Sequence, residues 1–196
     1  MRIDKYNKEL VEWERLKKIA NGIISKEITA YQEAIHYFNP FADINELGSK
    51  LTLEVTQCNA TICLYVNNKQ IIPDYILSTT KTGRLSKRNM SATKFNELYQ
   101  DYVCSCVLRV AREIFAYLPV NLVVVNAMGE LYNNSTGIKK EEVIVSVAIS
   151  PDILCRLNFN FVDPSDSMKN FPHNMKFGKT TGFIAVESIK AENLIK

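Results

Sequence analysis

Residues 91–118, SATKFNELYQDYVCSCVLRVAREIFAYL, constrain this chain more than any other stretch, because they hold a single hydrophobic period for the longest distance. Phe95, Leu98, Tyr99, Tyr102, Val103, Cys106, Val107, Val110, Ile114 and Leu118 recur every three or four residues, which puts them along one side of a helix that must be buried. Ser91 is a fitting N-cap and Pro119 stops the helix, so the rod is roughly 40 Å long at 1.5 Å per residue. Cys104, Leu108, Ala111 and Phe115 add a second apolar line, so the later half should be covered on more than one side. The narrow face left over carries Asp101, Ser105, Arg109, Arg112 and Glu113, which reads either as a solvated or ion-paired edge or as the wall of a functional cleft.

The elements before the rod alternate in type. Residues 4–24 read as an amphipathic helix through Tyr6, Leu10, Val11, Trp13, Leu16 and Ile19, broken near Asn21-Gly22. A second helix over 26–38 ends at Asn39-Pro40, and residues 41–47 form a turn closed by Gly48. Trp13 and the tyrosines here either pack on the main core or make a dimer contact. From Leu51 to Leu77 the period becomes two, with LTLEVTQ and TICLYVN flanking an Asn59-Ala60 turn. A third strand through Ile71, Ile72 and Ile76 carries Pro73 and so belongs at an edge, and the reading is an antiparallel meander.

After the rod, VNLVVVNA (120–127) and EVIVSVAI (142–149) predict a β-hairpin joined through the turn signals Asn133-Asn134 and Thr136-Gly137. Its strands are apolar enough to require cover on both faces, with the long helix on one side. Ser150-Pro151-Asp152 starts a helix over 151–158, Asp163-Pro164 starts another, and a last strand falls near 183–186. The fold class is therefore α+β: a helical N-terminal arm (1–48), then a unit over 49–196 with meander, long central helix, hairpin and short C-terminal helices.

Composition closes off several classes of function. A chain of 196 residues with 46% hydrophobic content supports a globular domain, and a net charge of +3 is too small to imply nucleic acid by itself. No apolar run approaches the roughly 18 residues that cross a bilayer, and the mixed charges of MRIDKYNKEL are not those of a secretory signal, so the expectation is a cytoplasmic protein with no membrane partner. Five cysteines with no CxxC pair suggest buried thiols; Cys104 and Cys106 point to opposite sides of a helix, and Cys58 with Cys63 is at most half a zinc site. No metal and no cofactor is implied.

Local charge is more informative. Between Tyr75 and Asn96 there is no acid, while Lys81, Arg84, Lys87, Arg88 and Lys94 stand among serines and threonines around Gly83. A second acid-free run after Asp166 carries Lys169, His173, Lys176 and Lys179. Basic side chains with hydroxyls are the usual donors to nucleic-acid backbones, so these runs are the candidate contact surface if they meet in space. The alternative is a solvated loop.

Catalytic signatures are sparse. Gly178-Lys179-Thr180 lacks the leading glycine of a P-loop, and GxGxxG, GxSxG, HExxH and EF-hand patterns are absent. The order helix, strand, strand, helix, strand resembles the core of restriction-endonuclease-like folds, which implies an acid on one strand and acid-x-Lys on the next. Here Glu142 is followed by Ile144 and Ser146, so a nuclease or hydrolase would have to draw on Glu113, Glu130, Glu142 or His173.

The stretches KTGRLSKRNM, YQDYVCSCVLRVAREIFAYLP, NAMGELYNNSTG and NFVDPSDSMKNFPHNMKF (within 80–187) resemble an uncharacterised bacterial domain that in some proteins follows a small glycine-rich module. That resemblance implies bacterial origin and a role as one domain among others; it carries no activity and no catalytic residue. The leading expectation is a non-catalytic binding or assembly domain that meets nucleic acid or another anionic partner. A divergent hydrolase, and an oligomerisation domain that makes a homo-oligomer through the N-terminal helices, are the competing readings.

Overall fold

The computed structural model describes residues 2–42, 48–133 and 135–194. The turn expected over 41–47 and the Asn134 part of the hairpin turn fall largely or wholly outside them. Two helices, α1 (Arg2–Ile24) and α2 (Ile28–Phe38), precede strands β1 (Gly48–Val55) and β2 (Asn59–Val66). Then come β3 (Tyr75–Thr79), β4 (Leu85–Asn89), the long helix α3 (Ala92–Tyr117), β5 (Leu122–Tyr132) and β6 (Lys139–Ile149). Short helices α4 (Pro151–Leu154) and α5 (Pro164–Ser167) lead to β7 (His173–Gly178) and β8 (Gly182–Ile184). The α+β class is as expected.

Helix α3 begins where its cap places it: the Ser91 side chain accepts from the Lys94 amide at 3.3 Å. Its buried stripe of Tyr99, Val103, Val107, Val110 and Ile114 lies in one core cluster with Ala60, Ile62 and Leu64 of β2, Val123 and Val125 of β5, and Val145, Val147 and Ile149 of β6. Each such aliphatic side chain, fully withdrawn from water, contributes about 1.5–3 kcal/mol. The expectation of buried thiols holds for Cys104 and Cys106, where burial pushes the Cys106 thiol up to about 11, but not for Cys58 and Cys155, which are exposed, or Cys63, which is half-buried.

The sheet departs from the expected meander. Its order is β1-β2-β5-β6-β7-β8, antiparallel throughout except for β2 with β5, which run parallel, Asn59 opposite Leu122 and Tyr65 opposite Met128. The antiparallel run therefore stops after β1 and β2. Residues 69–71 make a 3-10 turn instead of entering a strand, and β3 pairs only with β4 in a separate two-stranded sheet. The Asn68 side chain starts that turn by accepting from the Gln70 amide at 3.0 Å, and Pro73, which lacks the amide a ladder needs, keeps a strand from resuming before Tyr75.

Both faces of the central hairpin are covered. Opposite α3, the buried residues Val124, Asn126, Ser146 and Ala148 lie under the C-terminal segment, where the Ile189 amide donates to Ser146 Oγ (2.8 Å) and Ser146 Oγ donates to Asn126 Oδ1 (2.6 Å). The Asn174 side-chain amide adds a bond to the Glu187 carbonyl at 2.8 Å.

At the N-terminus the tyrosines divide. Tyr31 and Ala34 of α2 are wholly buried, and Tyr31 belongs to the main core, whereas Tyr6 and Trp13 of α1 stay 64% and 56% exposed. Packing on the core thus holds for Tyr31 and not for Trp13, whose ring instead lies under Lys17. Helix α1 meets α2 at Gly22, where a Cβ would fall 2.4 Å from Ala30 Cβ.

The helix expected over 151–158 is only α4: after Cys155 the amides of Arg156 and Leu157 bond the carbonyls three residues back, Ile153 and Leu154, and the helix closes into a turn. Asp163 does cap: its carboxylate accepts from the Asp166 amide (2.9 Å) and the Ser165 hydroxyl (2.9 Å), which hold its pKa below the ordinary value. A depressed carboxylate stabilises the fold above its unfolded pKa of about 4, and that contribution is lost as pH falls through the folded value. Asp163→Ala is therefore expected to cost about 1 kcal/mol at neutral pH. In urea titrations its gap from the parent should narrow in acid; a gap that stays constant with pH would count against the cap.

Candidate nucleic-acid interface

Most of the acid-free run, residues 75–89, is a β-ribbon rather than a loop, and its last residues open α3. β3 and β4 pair with Tyr75 opposite Asn89, Ile76 opposite Arg88, Leu77 opposite Lys87, Ser78 opposite Ser86 and Thr79 opposite Leu85. The connection is set by local chemistry. The Thr80 hydroxyl accepts from the Arg84 amide at 3.1 Å, the Gly83 amide donates to the Thr80 carbonyl at 2.9 Å, and Gly83 sits at φ 78°. This is the three-residue hairpin loop that places a left-handed residue last, where glycine carries no penalty. At the base, the Met90 amide donates to the Asp74 carbonyl at 2.7 Å.

The ribbon's extensive contacts are internal to it, and nearly all its residues face solvent. Side chains alternate between its faces. One face bears Arg84, Ser86 and Arg88 with Thr80, Ser78 and Ile76 across from them; the other bears Leu77, Leu85 and Lys87, whose ammonium lies 3.8 Å from the Tyr75 ring centroid. Lys81, Arg84, Lys87 and Arg88 form no ion pair among the described residues.

The C-terminal basic run reaches the foot of this ribbon. The Asn96 side-chain amide, 5% exposed in the second turn of α3, donates to the Lys179 carbonyl at 3.0 Å, and Lys69 Nζ donates to Asn96 Oδ1 at 3.4 Å. Its charge arrives largely neutralised: Lys179 pairs with Glu97 at 3.1 Å and Lys169 with Asp166 at 2.6 Å. Lys176 is exposed on β7, and Lys94 is exposed in the first turn of α3 near Asp101. Of the two basic runs, the ribbon thus keeps the larger share of positive charge without an ion pair. Asn96, which joins the two segments, carries no pattern by which sequence could have singled it out.

The four candidate catalytic residues are not gathered. Glu113 lies toward the end of α3 that leads into β5, where the Asn121 amide meets the Cys58 carbonyl, while Glu130 lies at the far end of β5. Glu130 pairs with Lys139 at 2.7 Å and Glu142 with Lys140 at 2.5 Å. His173 is opposite Val147, five positions along β6 from Glu142 or roughly 17 Å at strand rise. It shares a hydrogen with the Phe171 carbonyl at 2.9 Å. No group of three or more His, Cys, Asp or Glu is placed to hold a metal ion among the described residues.

On the polar face of α3, Asp101 lies near Asp163 and Ser165 at the start of α5, and Arg112 lies 4.4 Å from the Phe159 ring centroid. Burial raises the Asp101 pKa from its ordinary value.

One cleft of about 450 Å³ opens at the C-terminal ends of the parallel pair β2 and β5, lined by Asn67, Asn68, Gln70, Met128, Glu130 and Glu141. Two tyrosines of α3 fix its rim. Tyr99 donates to the Asn67 carbonyl at 2.9 Å, and the Asn67 amide donates to Tyr102, whose burial pushes its phenol up to about 12. Among the described residues no helix is long and apolar enough to cross a membrane. Comparison with protein-family models, curated proteins and solved structures gave no match.

Proposed function

We propose that this domain binds nucleic acid without catalysing its cleavage, and that the β3–β4 ribbon is the contact element. The observation that carries this reading is the free-standing ribbon itself: four basic side chains without acidic partners, among exposed hydroxyls, on an element that takes little part in the core. Phosphate contacts are made by such groups and release counterions, which makes binding salt-dependent. Glu130 at the cleft and Glu142 beside it are each paired with a lysine of their own hairpin, which favours a structural role for them over metal-assisted hydrolysis.

Fluorescence anisotropy on labelled DNA and RNA across a salt series, with Mg²⁺ present so that cleavage is visible, tests the reading. Lys87→Glu should weaken binding roughly tenfold and lower the salt slope by about 1, as expected for a lost phosphate contact. Undiminished binding by that variant, or cleavage abolished by Glu142→Gln, would overturn it.

A further inference from the structure

Resting on the nucleic-acid reading, we infer that the partner is duplex DNA and that the ribbon enters its major groove with the Arg84–Ser86–Arg88 face toward the base edges. Shape selects the partner. The B-form major groove, about 12 Å wide, admits a two-stranded β-ribbon, whereas the A-form major groove of RNA duplexes is too deep and narrow for side chains to read. Single strands are held chiefly by stacking on aromatic rings. The ribbon has one aromatic residue, Tyr75, and its ring is already covered by Lys87.

Chemistry selects the face. Arg84 and Arg88 lie on one side with Ser86 between them, Thr80 and Ser78 across from Arg84 and Ser86, and the half-buried Ile76 across from Arg88. That side therefore presents two donor forks with hydroxyls between them and one apolar side chain at its base. Arginine forks match the O6 and N7 acceptors of guanine, and hydroxyls serve any base edge. The two arginines are four positions apart along one strand, roughly 13 Å at strand rise, which is close to four base-pair steps at about 3.4 Å each. The preferred sites therefore hold two guanines about four steps apart. Lys87, on the opposite face, and Lys81, in the turn, are left to reach phosphates.

The full chain is titrated into four labelled probes: a mixed-sequence DNA duplex, the RNA duplex of the same sequence, the single DNA strand, and the DNA duplex with each guanine replaced by 7-deazaguanine, which lacks N7. The DNA duplex should bind tightest, and both the RNA duplex and the 7-deazaguanine duplex should bind roughly tenfold more weakly. The Arg84→Ala/Arg88→Ala protein should lose that discrimination, while Lys87→Ala should weaken all four probes alike; thermal unfolding of each variant confirms that the fold is kept. Equal or tighter binding to RNA or single strands, or indifference to 7-deazaguanine, would overturn the groove assignment and leave backbone binding standing. No binding to any probe would overturn both.

Discussion

Excising residues 75–89 and joining Asp74 to Met90 through two glycines is expected to leave the domain folded while nucleic-acid binding falls by more than about a hundredfold. The splice is short because the Met90 amide already bonds the Asp74 carbonyl at 2.7 Å. The ribbon supplies none of the residues of the core cluster, so its removal costs the core no buried side chain. Stability should change by no more than about 0.5 kcal/mol, the range of surface changes that touch no buried feature. The excised protein should give the parent's urea midpoint and slope, and a collapsed midpoint would mean the ribbon is structural. A folded excision variant that still binds with parental affinity would move the interface elsewhere on the molecule.

Tyr31→Ala should produce the largest loss of stability, about 3–5 kcal/mol, by analogy with other large aromatic truncations in cores. Tyr31 is 0% exposed and lies in the same cluster as Ile62, Val107 and Val123. Its hydroxyl approaches the Gln57 carbonyl only at 3.5 Å, too long to add much, so Tyr31→Phe should cost less than about 1 kcal/mol. Domains of this kind are stable by only about 5–15 kcal/mol, so the alanine variant should unfold at markedly lower urea with an unchanged slope. The result also bears on the N-terminal helices. Were α1 and α2 an independent arm, Tyr31→Ala would leave the main transition in place and the probes of unfolding would cease to coincide.

The parts of this architecture legible in the sequence are those whose signal is local. Ser91 and Pro119 bracket α3 because a cap and a missing amide act within one turn, and the runs from Leu122 and from Val143 declare β5 and β6 because both their faces are buried. The partner of β2 was not legible: period two says that a strand has a covered face, and nothing in it distinguishes β3 from β5 as neighbour. The ribbon escaped for the opposite reason. Hydrophobic alternation records burial, and Leu77 and Leu85 are 51% and 72% exposed, so only Gly83 marked the hairpin. The charge of the ribbon was plain in the sequence, but the neutralisation of Lys169 and Lys179 depended on Asp166 and Glu97, the second of them more than eighty positions from its lysine. The tie from Ser146 to Ile189 spans 43 positions and likewise had no local trace.

The parallel pairing of β2 with β5 sets an order on biosynthesis. β1 and β2 can close as a hairpin as soon as they emerge, but the other edge of β2, with Ile62 and Leu64 beside it, has no partner until residues 122–132 have been made. At about 5–20 residues per second the ribosome needs several seconds to go from the end of β2 at Val66 to the end of β5 at Tyr132. During that interval the nascent chain carries an open strand edge over an apolar face, the form in which chains recruit one another. Helix α3 is made in that interval and can shelter the face, but not the edge; only β5 completes the sheet.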